Sequence, residues 1–95
     1  MRLIEEQMNQ AINNKTYWSK DNTTVDTNAI LSKAYVYLHE HHIATYHYDD
    51  ETIVPNLDTL AAWPTATTKS RLRALGVNVY TRKGITYVND KEVAQ

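Results

Sequence analysis

The apolar periodicity changes once along the chain, and that change limits the fold more than any other sequence feature. Ile4, Met8, Ala11 and Ile12 recur at helical spacing, with Glu5, Glu6, Asn9 and Gln10 on the other faces. The pattern predicts an amphipathic helix over 3–13. Glu5 and Glu6 suit its positive N-terminal end, and Asn13-Asn14-Lys15-Thr16 stops it. Residues 14–22 read as a loop, with Tyr17 and Trp18 tucked onto the body. From Thr23 the period becomes two. Thr23–Thr27 is a candidate strand, and Lys33–His39 and His42–Tyr48 read as two strands joined by the turn Glu40-His41.

In that register Ala34, Val36 and Leu38 share a face with Ile43 and Thr45. The opposite face carries Tyr35, Tyr37, His39, His42, Ala44, Tyr46 and Tyr48. Tight hairpin turns favour Gly, Asn or Asp at positive φ, so Glu-His leaves a longer turn open. Asp49-Asp50-Glu51 reads as the next turn. It leads to Thr52–Val54, which Pro55 confines to an edge or an end. Residues 57–63 fit either a short helix or a buried connection.

Pro64-Thr65-Ala66-Thr67-Thr68 opens a second helix, about 66–75, with Thr65 or Thr67 as its cap. Thr68, Leu72 and Leu75 fall on its core side, and Gly76 stands where a left-handed C-terminal cap is wanted. Val77–Arg82 and Ile85–Asn89 then form a hairpin around Arg82-Lys83-Gly84. The expected architecture is α+β: an N-terminal helix, a small antiparallel meander, a second helix and a C-terminal β-hairpin. It fits one domain over 1–95, with the body at 23–90.

Composition narrows the chemistry. The 95 residues include seven Tyr and two Trp but no Phe and no Cys. Without cysteine there is no disulfide, no thiolate metal site and no Cys nucleophile. Small secreted domains usually need such staples, so an intracellular location is expected. No apolar run approaches the roughly 20 residues of a membrane span, and Glu5-Glu6-Gln7 is wrong for a signal peptide. With two Gly and neither a phosphate loop nor a Ser-His pattern, neither an enzyme nor a cofactor is expected. Asp49, Asp50 and Glu51 are explained by a polar turn.

Charge is divided unevenly. Residues 1–63 carry a net −5, residues 64–83 a net +5 and residues 84–95 a net −1. Thr67, Lys69, Ser70, Arg71 and Arg73 lie off the apolar stripe of the second helix and are expected to project outward. Arg82 and Lys83 follow at the hairpin tip. A basic helix before a basic hairpin is the outline of a winged-helix nucleic-acid reader, but the preceding helix such a reader needs is supplied only doubtfully by 57–63, and a solvated helix face with a charged turn is the commoner explanation.

Tyr35, Tyr37, Tyr46 and Tyr48 offer a second surface. Stacked bases would want a positive groove, whereas Glu40, Asp49, Asp50 and Glu51 surround this one. It therefore reads either as an anchor for a protein partner or as a second core layer under the first helix. His39 and His42 are expected as cross-strand neighbours, but two ligands fall short of a metal site.

The runs Val36-Tyr37-Leu38-His39 with Ile43-Ala44, Trp63-Pro64-Thr65-Ala66-Thr67-Thr68-Lys69-Ser70-Arg71-Leu72-Arg73-Ala74-Leu75, and Gly76-Val77-Asn78-Val79 with Lys83-Gly84-Ile85-Thr86-Tyr87 resemble a family of small bacteriophage-encoded proteins of unassigned function. The resemblance covers about residues 22–88. The chain departs from it at Glu40, where the family tends to have Gly. It implies an accessory protein that binds, and inhibits or redirects, a host or defence-system protein in the cytoplasm of the infected bacterium. It transfers no catalytic residue. The alternative is a small nucleic-acid-binding regulator using Lys69, Arg71, Arg73, Arg82 and Lys83.

Overall fold

A computed structural model describes residues 2–93. The chain opens with helix α1 (Leu3–Asn14), continues through strands β1 (Trp18–Lys20), β2 (Thr23–Asn28), β3 (Lys33–Leu38), β4 (His41–His47) and β5 (Thr52–Pro55), and reaches helices α2 (Leu57–Ala62) and α3 (Ala66–Ala74). Strands β6 (Val79–Arg82), β7 (Ile85–Val88) and β8 (Lys91–Glu92) complete it. The first five strands form one antiparallel meander in chain order, and the last three form a second. The α+β class, the first helix, the meander and the later helix leading to a hairpin are as expected.

The expected loop 14–22 contains a short strand, and another lies beyond the expected hairpin. Trp18–Lys20 pairs with Thr23–Val25 across a turn at Asp21-Asn22, and β8 adds a third strand beyond the predicted hairpin. Pro55 closes β5, which is an edge strand of the larger sheet. Residues 57–62 resolve as a helix capped by Asn56, whose side chain accepts the Thr59 N–H. Thr65 caps α3 by accepting the Thr68 N–H at 3.1 Å, and Gly76 adopts φ +99° after α3 ends. Lys15, at φ 55°, ends α1 in the left-handed conformation.

The β3–β4 turn is two residues long but shifted by one position: it is His39-Glu40, at φ 50° and 67°. Positive φ at both central positions matches the twist of antiparallel strands. Lys83-Gly84 and Asn89-Asp90 repeat it. Only the His39-Glu40 turn lacks Gly, Asn and Asp, so its two side chains carry the steric cost of the left-handed region.

One buried cluster joins the helices and both sheets. Met8, Ala11 and Ile12 of α1, Leu60 of α2 and Leu72 of α3 meet Val25, Ala34, Val36, Ile43 and Ala44, with Val79 and Val88 from the smaller sheet. Met8 and Leu72 are fully buried, each contributing roughly 1.5–3 kcal/mol by leaving water. All three helices therefore cover the same face of the larger sheet.

The register of β4 corrects the predicted faces. Ala34 pairs with Tyr46 and Val36 with Ala44, but Tyr37 pairs with His42, so Ile43 is an extra residue in a β-bulge. A one-residue insertion reverses every later side chain. Thr45 moves to the outer face, while Ala44, Tyr46 and Tyr48 turn inward. Tyr46 and Tyr48 pack against the core, and the Tyr48 hydroxyl donates to the Ile12 carbonyl of α1.

Candidate interaction surfaces

The basic block does not form one surface. Arg71 was expected to project outward; instead it is 3% exposed and lies under α1. Its Nη1 bonds Glu5 Oε2 at 2.9 Å and its Nε donates to Thr23 Oγ1 at 3.0 Å. Ser70, also expected outside, donates to the same Glu5 oxygen at 2.6 Å. Glu5 is thus no solvated cap of α1 but the buried centre of a joint between α1, β2 and α3. Burial raises its carboxyl, but the Ser70 and Arg71 hydrogen bonds, the Arg2 backbone and the Arg71 charge outweigh that, and its pKa falls below the ordinary 4.5.

The remaining cations follow the smaller sheet. Lys69 Nζ donates to the Thr81 hydroxyl, and the exposed Arg73 donates from Nη1 to the Val79 carbonyl at 3.2 Å. Arg82 and Lys83 stay exposed at the β6–β7 turn. Tyr80 and Tyr87, not singled out from the sequence, stack beside them with ring centroids 5.2 Å apart. The alternation Tyr80, Arg82 was the available signal. The Tyr80 hydroxyl donates to Asp90, which pushes the phenol above its ordinary value.

The four-tyrosine face is likewise divided. Tyr46 and Tyr48 belong to the core side, where their rings meet edge-on at 5.0 Å and burial pushes the Tyr48 phenol up. Tyr35 and Tyr37 remain on the outer face and flank His42, with centroids 5.8 and 5.7 Å from its ring. His42 is fixed from both sides. The Asn56 carbonyl is occupied by Thr59 N–H, so the Asn56 amide nitrogen meets His42 Nδ1 at 3.2 Å. That nitrogen can only donate, so His42 Nδ1 accepts and Nε2 carries the proton toward Thr45 Oγ1 at 2.8 Å.

This outer face is the better-formed of the candidate surfaces. Its rows are set by register: Ser19, Thr24, Tyr37 and His42 in one, Asp26, Tyr35, Thr45 and Val54 in the next, and Asn28, Lys33, His47 and Thr52 in the third. Val54 is 49% exposed. The helices lie on the opposite face, so among the described residues only neighbouring sheet side chains cover Tyr35 and Tyr37, which are half-buried.

The histidines do not converge. His41 pairs with Leu38 and stacks on Trp63 at 4.9 Å, while His39 sits in the turn. His39 and His42 are therefore not cross-strand neighbours as predicted. Among the described residues no group of three or more His, Cys, Asp or Glu could hold a metal ion. His41 and Trp63 border a largely apolar pocket of about 180 Å³ lined also by Leu38, Ile43 and Thr68. None of the described helices is long and apolar enough to cross a membrane.

The sequence profile of the family described as Kyanoviridae Gp96 protein matches residues 1–95. Neither the curated proteins nor the solved structures yield a match.

Proposed function

Because the chain belongs to the Kyanoviridae Gp96 protein family, a family of phage proteins, we propose that it is an accessory protein that binds a host or defence-system protein, and inhibits or redirects it, in the cytoplasm of the infected cell. It acts by occupancy, without catalysis or cofactor. The observation that carries this reading is the open outer face of the five-stranded sheet, where Tyr35 and Tyr37 flank a hydrogen-bonded His42. Tyrosine anchors on a rigid sheet give contact area at low entropic cost. Affinity purification from infected cells, with nuclease added, is the test. A stoichiometric protein partner that survives nuclease is expected; recovery of nucleic acid alone would overturn the reading.

A second reading, a nucleic-acid-binding regulator, draws on the Tyr80–Tyr87 stack beside Arg82 and Lys83. With Arg71 committed to Glu5, at most Lys69, Arg73, Arg82 and Lys83 remain for phosphate. The log–log salt slope of binding would then be no steeper than about −4. A gel shift that is absent at low salt, or unaffected by Arg82→Ala/Lys83→Ala, would exclude it.

A further inference from the structure

The outer sheet face carries charge that the molecule itself leaves uncompensated. Residues 17–56, which build the sheet, contain six acids (Asp21, Asp26, Glu40, Asp49, Asp50 and Glu51) against Lys20 and Lys33. The fold distributes them around the tyrosines. The Thr23–Leu38 pairing sets the turn bearing Asp21 beside the turn bearing Glu40 at one end, where both line one depression. Tyr48 N–H donates to the Ser32 carbonyl at the other end, next to Asp49, Asp50 and Glu51. Thr52 donates to Asp50 at 2.7 Å and holds its carboxyl below the ordinary range. Asp26 stands exposed in the middle, directly across from Tyr35 and one row from Tyr37. The Arg71–Glu5 pair is the one ion pair among the described residues, so none of these six acids is in an ion pair with another described residue.

A carboxylate beside an accessible aromatic ring is suited to a guanidinium. The planar cation can pair with the carboxylate through parallel N–H groups while its face lies on the ring. A lysine ammonium is a point charge and gains less from that geometry. Cross-strand neighbours stand about 5 Å apart at Cβ, which brings an Asp and a Tyr within reach of one arginine. The acids at both ends add a longer-range field that steers a cationic surface toward the face and disfavours an anionic one.

Resting on the protein-binding reading above, we infer that the face formed by Thr24, Asp26, Tyr35, Tyr37, Thr45 and Val54 docks an arginine-bearing protein surface, with Asp26 and the two tyrosine rings receiving a guanidinium.

The test has two arms. In the first, the ¹⁵N-labelled full chain is titrated with octa-arginine and with octa-lysine. Saturable amide shifts centred on Thr24, Asp26, Tyr35 and Tyr37 are expected, with octa-arginine bound more tightly. Asp26→Asn and Tyr37→Ser should each weaken binding about three- to tenfold, with unchanged circular dichroism. Equal binding of the two peptides, or shifts confined to residues 49–51, would overturn the inference.

In the second arm, the partner recovered from infected cells is challenged with the Asp26→Asn/Tyr37→Ser double variant. Its loss, together with a matching loss when the partner's surface arginines are changed to lysine, supports the inference. Its retention leaves the accessory-protein reading standing and removes this one. If no partner is recovered while octa-arginine still maps to the face, the accessory-protein reading fails instead. Self-association by sedimentation that Asp26→Asn abolishes would assign the face to a second copy of the chain and also overturn the inference.

Discussion

The α1–α3 seam and the outer face of the five-stranded sheet treat charge in opposite ways. At the seam, Glu5 and Arg71 are both about 4% exposed in their side chains and complete each other's hydrogen bonding with Ser70 and Thr23. On the outer face, Asp26 is exposed and in no ion pair with another described residue, and Tyr35 and Tyr37 are half-buried against His42. The seam has spent its charge on folding, whereas the face retains its charge for something outside the chain. Residue type alone assigns Arg71 to the outside and leaves the tyrosines open between a contact surface and a second core layer.

The comparison can be broken most strongly at Arg71. Arg71→Ala leaves Glu5 buried without a cation and should cost about 3–5 kcal/mol, read from urea denaturation. The double variant Glu5→Leu/Arg71→Met should recover most of that loss, since a packed apolar pair replaces a buried ion pair at little cost. If Arg71→Ala is instead neutral while Tyr37→Ser is severe, the roles assigned to seam and face are reversed.

Acid probes the same joint. The Glu5 pKa is lowered in the folded state, so its contribution is fully present above the ordinary value of 4.5 and is lost as pH falls through the lower folded value. Stability should therefore fall with pH below that range, and Glu5→Gln should flatten the dependence in denaturation curves measured across it. Asp50, also lowered but fully exposed, is left intact in that variant and sets the residual slope.

Smaller effects sharpen the boundary. Thr65→Ala removes the α3 cap and should cost about 1 kcal/mol. Glu40→Gly should stabilise the chain by roughly 0.5–1 kcal/mol, because glycine occupies the left-handed region without steric cost; thermal melts distinguish the two signs. Arg82→Ala/Lys83→Ala should change stability by less than about 0.5 kcal/mol, as expected for exposed side chains outside the packed core. A larger loss would mean that the hairpin tip, like Arg71, is structural.

Much of this fold was legible because it rests on local rules. The change of period marked α1 and the meander, Pro55 marked an edge strand, and Thr65 and Gly76 marked the ends of α3. The misreadings have specific causes. No Gly or Pro announces the bulge at Ile43, yet one inserted residue moved Tyr46 and Tyr48 inward. The His39-Glu40 turn places Glu40, a residue type uncommon at positive φ, in the left-handed region. Trp18–Lys20 and Lys91–Glu92 are too short for alternation to register.

The change of apolar period, the helix caps and the turn chemistry act over a few residues, and so they set the element types and their order before any long-range contact forms. Only the tertiary structure decided which polar side chains would face inward. Glu5 and Arg71 are 66 residues apart, and no local pattern records that α1 will lie across α3. Once it does, desolvation requires the two charges to meet, while Asp26 on the outer sheet face and Arg82 and Lys83 at the hairpin tip stay exposed.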